Sequence, residues 1–300
     1  MRFAGKEQVV SRRKQRGHFF QSWILIAGML SLGAQCQPGR GAETVHFRSG
    51  DGQTDLIGYL FRPVGPGPYA VVVMLHGRGG PYSSLAHGIY NAGTLSKRHK
   101  FWGDFWASKG YVALLVDSFG PRGYWQGFTK HSYEDRPSEV SEQTTRPLDA
   151  YGALAYLRAR SDVVRDRIGL RGWSNGAMTV LATMSSRAPG ISNPSPVNAF
   201  RAGLAFYPGC GMEAIQGAYV PYAPIQMFVG TADEEVSPKR CMAWEKRVSS
   251  AGGSIDLTAY DGAERDFDDP SASKQRNESN AAATRDAVRR SEGFFERHLK

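Results

Sequence analysis

Three short segments carry side chains and amides that could act together on an electrophilic carbonyl. In Gly172-Trp173-Ser174-Asn175-Gly176 a hydroxyl is flanked by small residues, between an apolar run ending at Leu170 and a helical pattern opening at Gly176. A chain turning that sharply from strand to helix projects its serine over the sheet edge at a helix N-terminus, the geometry of a nucleophile elbow. His76-Gly77-Arg78-Gly79-Gly80 follows the apolar run Ala70–Leu75. Its glycines let backbone N–H groups approach a developing oxyanion, so the amides of Arg78 and Asn175 are the expected donors. A turn that serves packing alone is the plainer reading of the same glycines. The third segment, Gly230-Thr231-Ala232-Asp233-Glu234-Glu235-Val236-Ser237-Pro238, follows the run Ile225–Val229. Asp233 there could orient and charge-stabilise a base, in the chain order nucleophile, acid, base. Glu234 and Glu235 read as solvated or capping residues ahead of a helix that Pro238 begins.

Positioning these groups requires a sheet. Short apolar runs alternate with helical patterns along the chain, which predicts an α/β architecture with a mostly parallel central sheet and helices on both faces. The expected strands are Val45–Arg48, Leu56–Phe61, Ala70–Leu75, Val112–Val116, Ile168–Leu170, Ala202–Phe206, Ile225–Val229 and Ile255–Tyr260, with Asp51-Gly52 turning the first into the second. The expected helices are Phe101–Lys109, Pro147–Arg160, Gly176–Ser186, Pro238–Ala251 and Ala281–His298. One segment breaks the alternation. Ser118 to Thr145 is long and rich in Gly, Pro, Tyr and charge, and reads as a partial lid over the site or as a plain surface loop.

The formal charge of +9 on 300 residues suggests a nucleic-acid partner until it is located. Most of it lies in residues 1–42, where Arg2, Lys6, Arg12, Arg13, Lys14, Arg16 and Arg40 face only Glu7. No basic stripe interleaved with aromatics remains, so nucleic acid is not an expected partner. The same N-terminus continues into Trp23-Ile24-Leu25-Ile26-Ala27-Gly28-Met29-Leu30-Ser31-Leu32 and then small and polar residues. That is the layout of a secretory signal peptide with a short linker over residues 1–42, an uncleaved anchor being the alternative. An exported chain, periplasmic or secreted, with a single domain over 43–300 is expected, and no membrane association after signal cleavage. In an oxidising compartment Cys210 and Cys241 form the expected disulfide, against two buried thiols that never meet.

The elbow, the His-Gly-x-Gly-Gly loop, Val116-Asp117-Ser118-Phe119-Gly120-Pro121-Arg122-Gly123, Tyr207-Pro208-Gly209-Cys210, the Asp233 segment and Phe267-Asp268-Asp269-Pro270 together resemble the dienelactone hydrolase family, in an exported serine-nucleophile branch. The resemblance spans roughly residues 45–298. It implies an α/β-hydrolase fold, hydrolysis of a small-molecule carboxylic ester or lactone, and no metal or organic cofactor. Well-known members of the family carry a cysteine where this chain has Ser174. A larger departure lies after the last strand, where the family pattern Gly-Ala-x-His meets Gly262-Ala263-Glu264-Arg265. A guanidinium stays protonated and cannot accept the nucleophile's proton.

Other histidines offer no substitute with the context of a base. His18 lies in the leader, His46 on the opening strand and His298 at the last helix, while His76 matches a structural histidine of the family. His87, His99 and His131 sit in loops and read as surface or hydrogen-bonding residues. Three readings follow: a serine hydrolase acting through an acyl-Ser174 intermediate, impaired by Arg265; a catalytically silent binding protein on the same scaffold; or an incidental His→Arg change in an active enzyme. For substrate recognition, Arg78 and Arg122 could hold a carboxylate, and Arg122 could instead pair with Glu134 or Asp135. Trp173, with Tyr124 and Trp125, could wall the pocket or simply pack.

Overall fold

The structure, a computed structural model, describes residues 41–300, so almost all of the expected leader, with Cys36 and His18, lies outside the described residues. Among the described residues eight strands form one sheet: β1 (Glu43–Arg48), β2 (Asp55–Phe61), β3 (Tyr69–Leu75), β4 (Tyr111–Asp117), β5 (Val163–Trp173), β6 (Gly203–Phe206), β7 (Ile225–Gly230) and β8 (Ile255–Tyr260). Their order is β1-β2-β4-β3-β5-β6-β7-β8. Only β2 runs against its neighbours; β4, β3, β5, β6, β7 and β8 pair in parallel. All the parallel strands therefore end on one edge, and ligands in such sheets bind beyond the carboxyl ends of the strands.

Strand alternation builds two cores. Along β3, Val71, Val73 and Leu75 point into one apolar cluster while Ala70, Val72 and Met74 point into the other, and all six are buried. The first cluster packs against α2 (Arg146–Arg158), α3 (Asn175–Thr183) and α4 (Pro238–Ser250). The second packs against α1 (Lys97–Ser108) and α6 (Glu278–Leu299), with Trp102, Trp106 and Phe295 fully enclosed. A four-residue helix, α5 (Ala272–Gln275), leads into α6.

Boundaries depart from the sequence pattern where polar residues form regular structure. β5 has 11 residues rather than the short run expected, because its Arg165-Asp166-Arg167 stretch is exposed and conceals the strand. α1 begins earlier than expected, its charged first turn capped by the Ser96 hydroxyl, which accepts from the His99 amide. α6 likewise begins at Glu278 because Asn277 caps the amides of Ser279 and Asn280. Between β1 and β2, the Asp51 carboxylate accepts from the amides of Gln53 and Thr54, both at 2.8 Å, and closes the expected turn. Cys210 and Cys241 form the expected disulfide with Cα atoms 5.0 Å apart, tying the loop after β6 to the first turn of α4.

Candidate active site

Ser174 stands where β5 gives way to α3, with φ 54° and ψ −114°, a conformation that side-chain-bearing residues avoid at a cost of roughly 1–3 kcal/mol. Its amide donates to the Phe206 carbonyl at 2.9 Å and its carbonyl accepts from the Met178 amide at 2.9 Å, so the neighbouring strand β6 and the helix α3 hold the strained residue. Glycine is required on either side: a Cβ on Gly172 would strike the Gly176 backbone, and one on Gly176 would strike the Leu75 and His76 carbonyls. The loop after β3 lies alongside, since a Cβ on Gly77 would sit 3.5 Å from the Ser174 Cβ. Asn175 opens α3, leaving its amide among those with no partner inside the helix.

Asp233 follows β7. Its Oδ1 accepts from the amides of Glu235 and Val236 at 2.9 and 3.0 Å, leaving Oδ2 to face the site. Arg265 follows β8 and spans the gap between Asp233 and Ser174. One guanidinium nitrogen lies 3.1 Å from Asp233 Oδ2, and the other donates to the Ser174 hydroxyl oxygen. The three residues expected to converge do so, all buried. Burial alone would lower the arginine pKa, but Asp233 and Glu235 outweigh it and hold the value above the ordinary arginine range. The guanidinium therefore cannot serve as a base.

The Glu235 side chain is only 5% accessible although the residue as a whole is partly exposed, which corrects its reading as a solvated or capping residue. Its carboxylate lies 3.2 Å from Arg265 Nε and 3.4 Å from a terminal nitrogen of Arg78. Arg265 and the partly buried Arg78 thus face Asp233 and Glu235, and two cations against two carboxylates leave little net charge to desolvate. Arg78 thus lends its side chain to an internal ion pair rather than to an open anion site.

Two expected substrate contacts are corrected. Arg122 turns inward, donating to both Asp149 oxygens at 2.9 and 2.8 Å and to Asp51 at 3.1 Å, with neither Glu134 nor Asp135 as partner. The Asp51 turn and the start of α2 hold a carboxylate pair there that a planar guanidinium matches. Trp173 is fully buried, its indole N–H donating to Asp268 at 2.7 Å, because alternation on β5 turns it into the core when Ser174 turns out. Neither side chain is open to a ligand.

Several supporting contacts carried no sequence signal. Asn175 donates to Glu142 at 2.8 Å and accepts from Arg146, whose other terminal nitrogen donates to the His76 carbonyl at 2.9 Å. This brace joins the segment after β4 to the elbow and the glycine loop at once. That segment also meets the glycine loop directly, the Phe128 amide donating to the Arg78 carbonyl at 2.8 Å. Burial lowers the Arg146 pKa to about 10, with Asp149 and Glu142 opposing. Asp268 accepts from Trp102, Trp173 and Tyr207 at 2.8, 2.7 and 2.6 Å and sits 3.5 Å from the buried Arg171. It thereby ties the Arg265 loop to the elbow strand. Glu142 and Arg146 are one helical turn apart in sequence, and Asp268 belongs to a recognised motif, but nothing in one dimension assigns their partners.

The histidines stand apart. His76 is enclosed, its Nδ1 2.7 Å from the Gly77 carbonyl and its Nε2 accepting from the Ser118 amide at 3.2 Å. His99 lies in α1 rather than in a loop, buried, with Nδ1 2.8 Å from the Pro81 carbonyl. Among the described residues no imidazole hydrogen-bonds the Ser174 hydroxyl, and no cluster of His, Cys, Asp or Glu is placed to hold a metal ion.

The family model for the dienelactone hydrolase family matches residues 56–299. The chain belongs to the dienelactone hydrolase family. By family it is a hydrolase of the ester type. A Klebsiella pneumoniae structure described as a dienelactone hydrolase is similar to it with a TM-score of 0.63 at 15% identity, over 86% of this chain and 99% of the other. A Thermogutta terrifontis esterase with propionate bound is similar with a TM-score of 0.60 at 18% identity, over 86% of this chain and 94% of the other. The same esterase phosphorylated by paraoxon gives a TM-score of 0.58 at 18% identity, over 84% and 95%. At these identities the likeness carries the α/β-hydrolase fold alone.

Proposed function

We propose that this family member is a serine hydrolase for small carboxylic esters or lactones, working through an acyl-Ser174 intermediate and throttled by the arginine at its base position. In that scheme the Ser174 oxygen attacks the ester carbonyl, with the amides of Asn175 and Arg78 receiving the developing oxyanion. The C–O bond to the alcohol breaks, and water then releases the acid and regenerates the serine. Each half needs a proton removed from an attacking oxygen. Arg265 cannot remove it, so solvent must, and turnover is slow. The steps require no metal or organic cofactor. Export to the periplasm or beyond belongs to the same proposal, supported by the leader-like residues 1–42 and the Cys210–Cys241 disulfide.

The observation that carries the reading is the convergence of a strained serine, a carboxylate and a bridging side chain on one sheet edge. The guanidinium hydrogen bond to the nucleophile favours a second reading, a binding protein that recognises esters without turning them over. Hydrolysis of p-nitrophenyl acetate and butyrate by the wild sequence and by Arg265→His, with Ser174→Ala as blank, separates the two. Slow but serine-dependent turnover supports the throttled enzyme; a wild sequence indistinguishable from the blank supports the binder.

A further inference from the structure

The glycine loop that flanks Ser174 also walls a separate cleft of about 560 Å³, within the range of roughly 300–1,000 Å³ typical of small-molecule sites. Gly79, Tyr82, Tyr90 and Trp125 supply much of its lining, and Ser83, Ser84 and Gln126 a polar fringe. Tyr90 and Trp125 stack with ring centroids 5.5 Å apart and 17° between their planes, and Tyr82 lies tilted against both. The Tyr82 hydroxyl shares a 2.6 Å hydrogen bond with Tyr59 and donates to Asp117 at 2.9 Å, which fixes that ring before any ligand arrives. His87, in the lining, holds φ 49°, a left-handed conformation that a side-chain-bearing residue adopts at a cost. Such backbone strain gathers where ligands bind.

Among the described residues no Asp, Glu, Lys or Arg lines the cleft, so a charged ligand would be desolvated without a counter-ion, whereas a neutral ring finds aromatic neighbours. Gly79 lies two residues beyond Gly77, and two residues span at most roughly 7 Å. The cleft wall at Gly79 is thus close along the chain to Gly77, where a Cβ would sit 3.5 Å from the Ser174 Cβ. We propose that the cleft binds a neutral, planar aromatic ring, the aryl portion of an ester whose carbonyl reaches Ser174; the link to Ser174 rests on the ester reading above.

Calorimetric titration of the Ser174→Ala protein with methyl 2-naphthoate, 2-naphthoate and methyl cyclohexanecarboxylate tests the cleft without turnover. Methyl 2-naphthoate is expected to bind at least tenfold more tightly than the other two. Trp125→Ala should weaken it at least tenfold, and Ser84→Trp, which plugs the exposed rim and leaves the ring pair intact, should abolish it. Equal affinities for the three ligands, or binding indifferent to both substitutions, would overturn the site. In the Arg265→His background, Ser84→Trp should lower kcat/KM for methyl 2-naphthoate at least tenfold more than for methyl butyrate; equal losses would overturn the link to Ser174. Should Arg265→His hydrolyse nothing, the throttled-triad reading fails while the titration still decides the cleft.

Discussion

Replacing Arg265 by histidine offers a bridging group that can carry the proton. The guanidinium presently reaches both Asp233 Oδ2 and the Ser174 hydroxyl, so the space between those two side chains already accommodates a planar nitrogen-bearing group. In serine hydrolases loss of the base costs up to about 10⁶ in turnover. Histidine is shorter than arginine, however, and a misplacement of about 1 Å costs about 10². The expected gain in kcat/KM for p-nitrophenyl butyrate is therefore about 10⁴-fold, or about 5.4 kcal/mol of barrier at about 1.36 kcal/mol per tenfold. The imidazole would face Asp233 and Glu235 together, and two carboxylates raise its pKa above the usual value of about 6.5. Only the neutral form accepts a proton, so activity should rise with pH through that elevated pKa and be lost below it. Stability should fall, because Glu235 keeps only Arg78, 3.4 Å away, when the imidazole is neutral; breaking a buried pair costs about 3–5 kcal/mol, and an imidazolium at low pH recovers part of it. Steady-state hydrolysis from pH 5 to 9, beside urea unfolding, measures both effects. An Arg265→His protein no faster than Ser174→Ala would refute the assignment of position 265 to the base.

Further outcomes follow from the same geometry. Asp268→Asn should destabilise the protein by about 3–5 kcal/mol in urea unfolding, since it leaves the enclosed Arg171 without its carboxylate; a loss under 1 kcal/mol would show that the surrounding rings suffice. His99 is held neutral by burial, then by Arg98, with its pKa lowered to about 3. The unfolded chain binds protons first as pH falls from about 6.5, so stability should decline from there to about pH 3, and His99→Gln should flatten that slope without erasing it because His76 is depressed as well. Reduction of Cys210–Cys241, whose residues are 31 apart in sequence, should cost about 3–4 kcal/mol, read as a lowered urea midpoint with reductant; an unchanged midpoint would place the strain of the bridge above its entropic benefit. A fluorophosphonate probe should label Ser174 faster in Arg265→His than in the wild sequence, and identical rates would deny that the guanidinium restrains the hydroxyl.

The strands of the parallel sheet were legible because those buried on both faces must be short continuous apolar runs, as at Val71–Leu75 and Val112–Val116. Its polar portions were not: the exposed stretch of β5 and the charged first turns of α1 and α6 owe their form to pairing and to caps at Ser96 and Asn277, which leave no apolar period. Within the site, Ser174, Asp233 and Arg265 could be named from motif order, since chain direction and strand sequence alone bring the three strand ends to one edge. By itself the sequence also determined that the position expected to hold a base holds a cation that does not titrate. Tertiary structure alone decided where each charge found its partner: Arg122 turned to Asp149, Glu235 was drawn between Arg78 and Arg265, and Asp268 gathered two indoles and a phenol. Ion pairs and hydrogen bonds form between residues far apart in the chain, and their selection follows from which groups lose water together, a property of the packed interior that no linear spacing encodes.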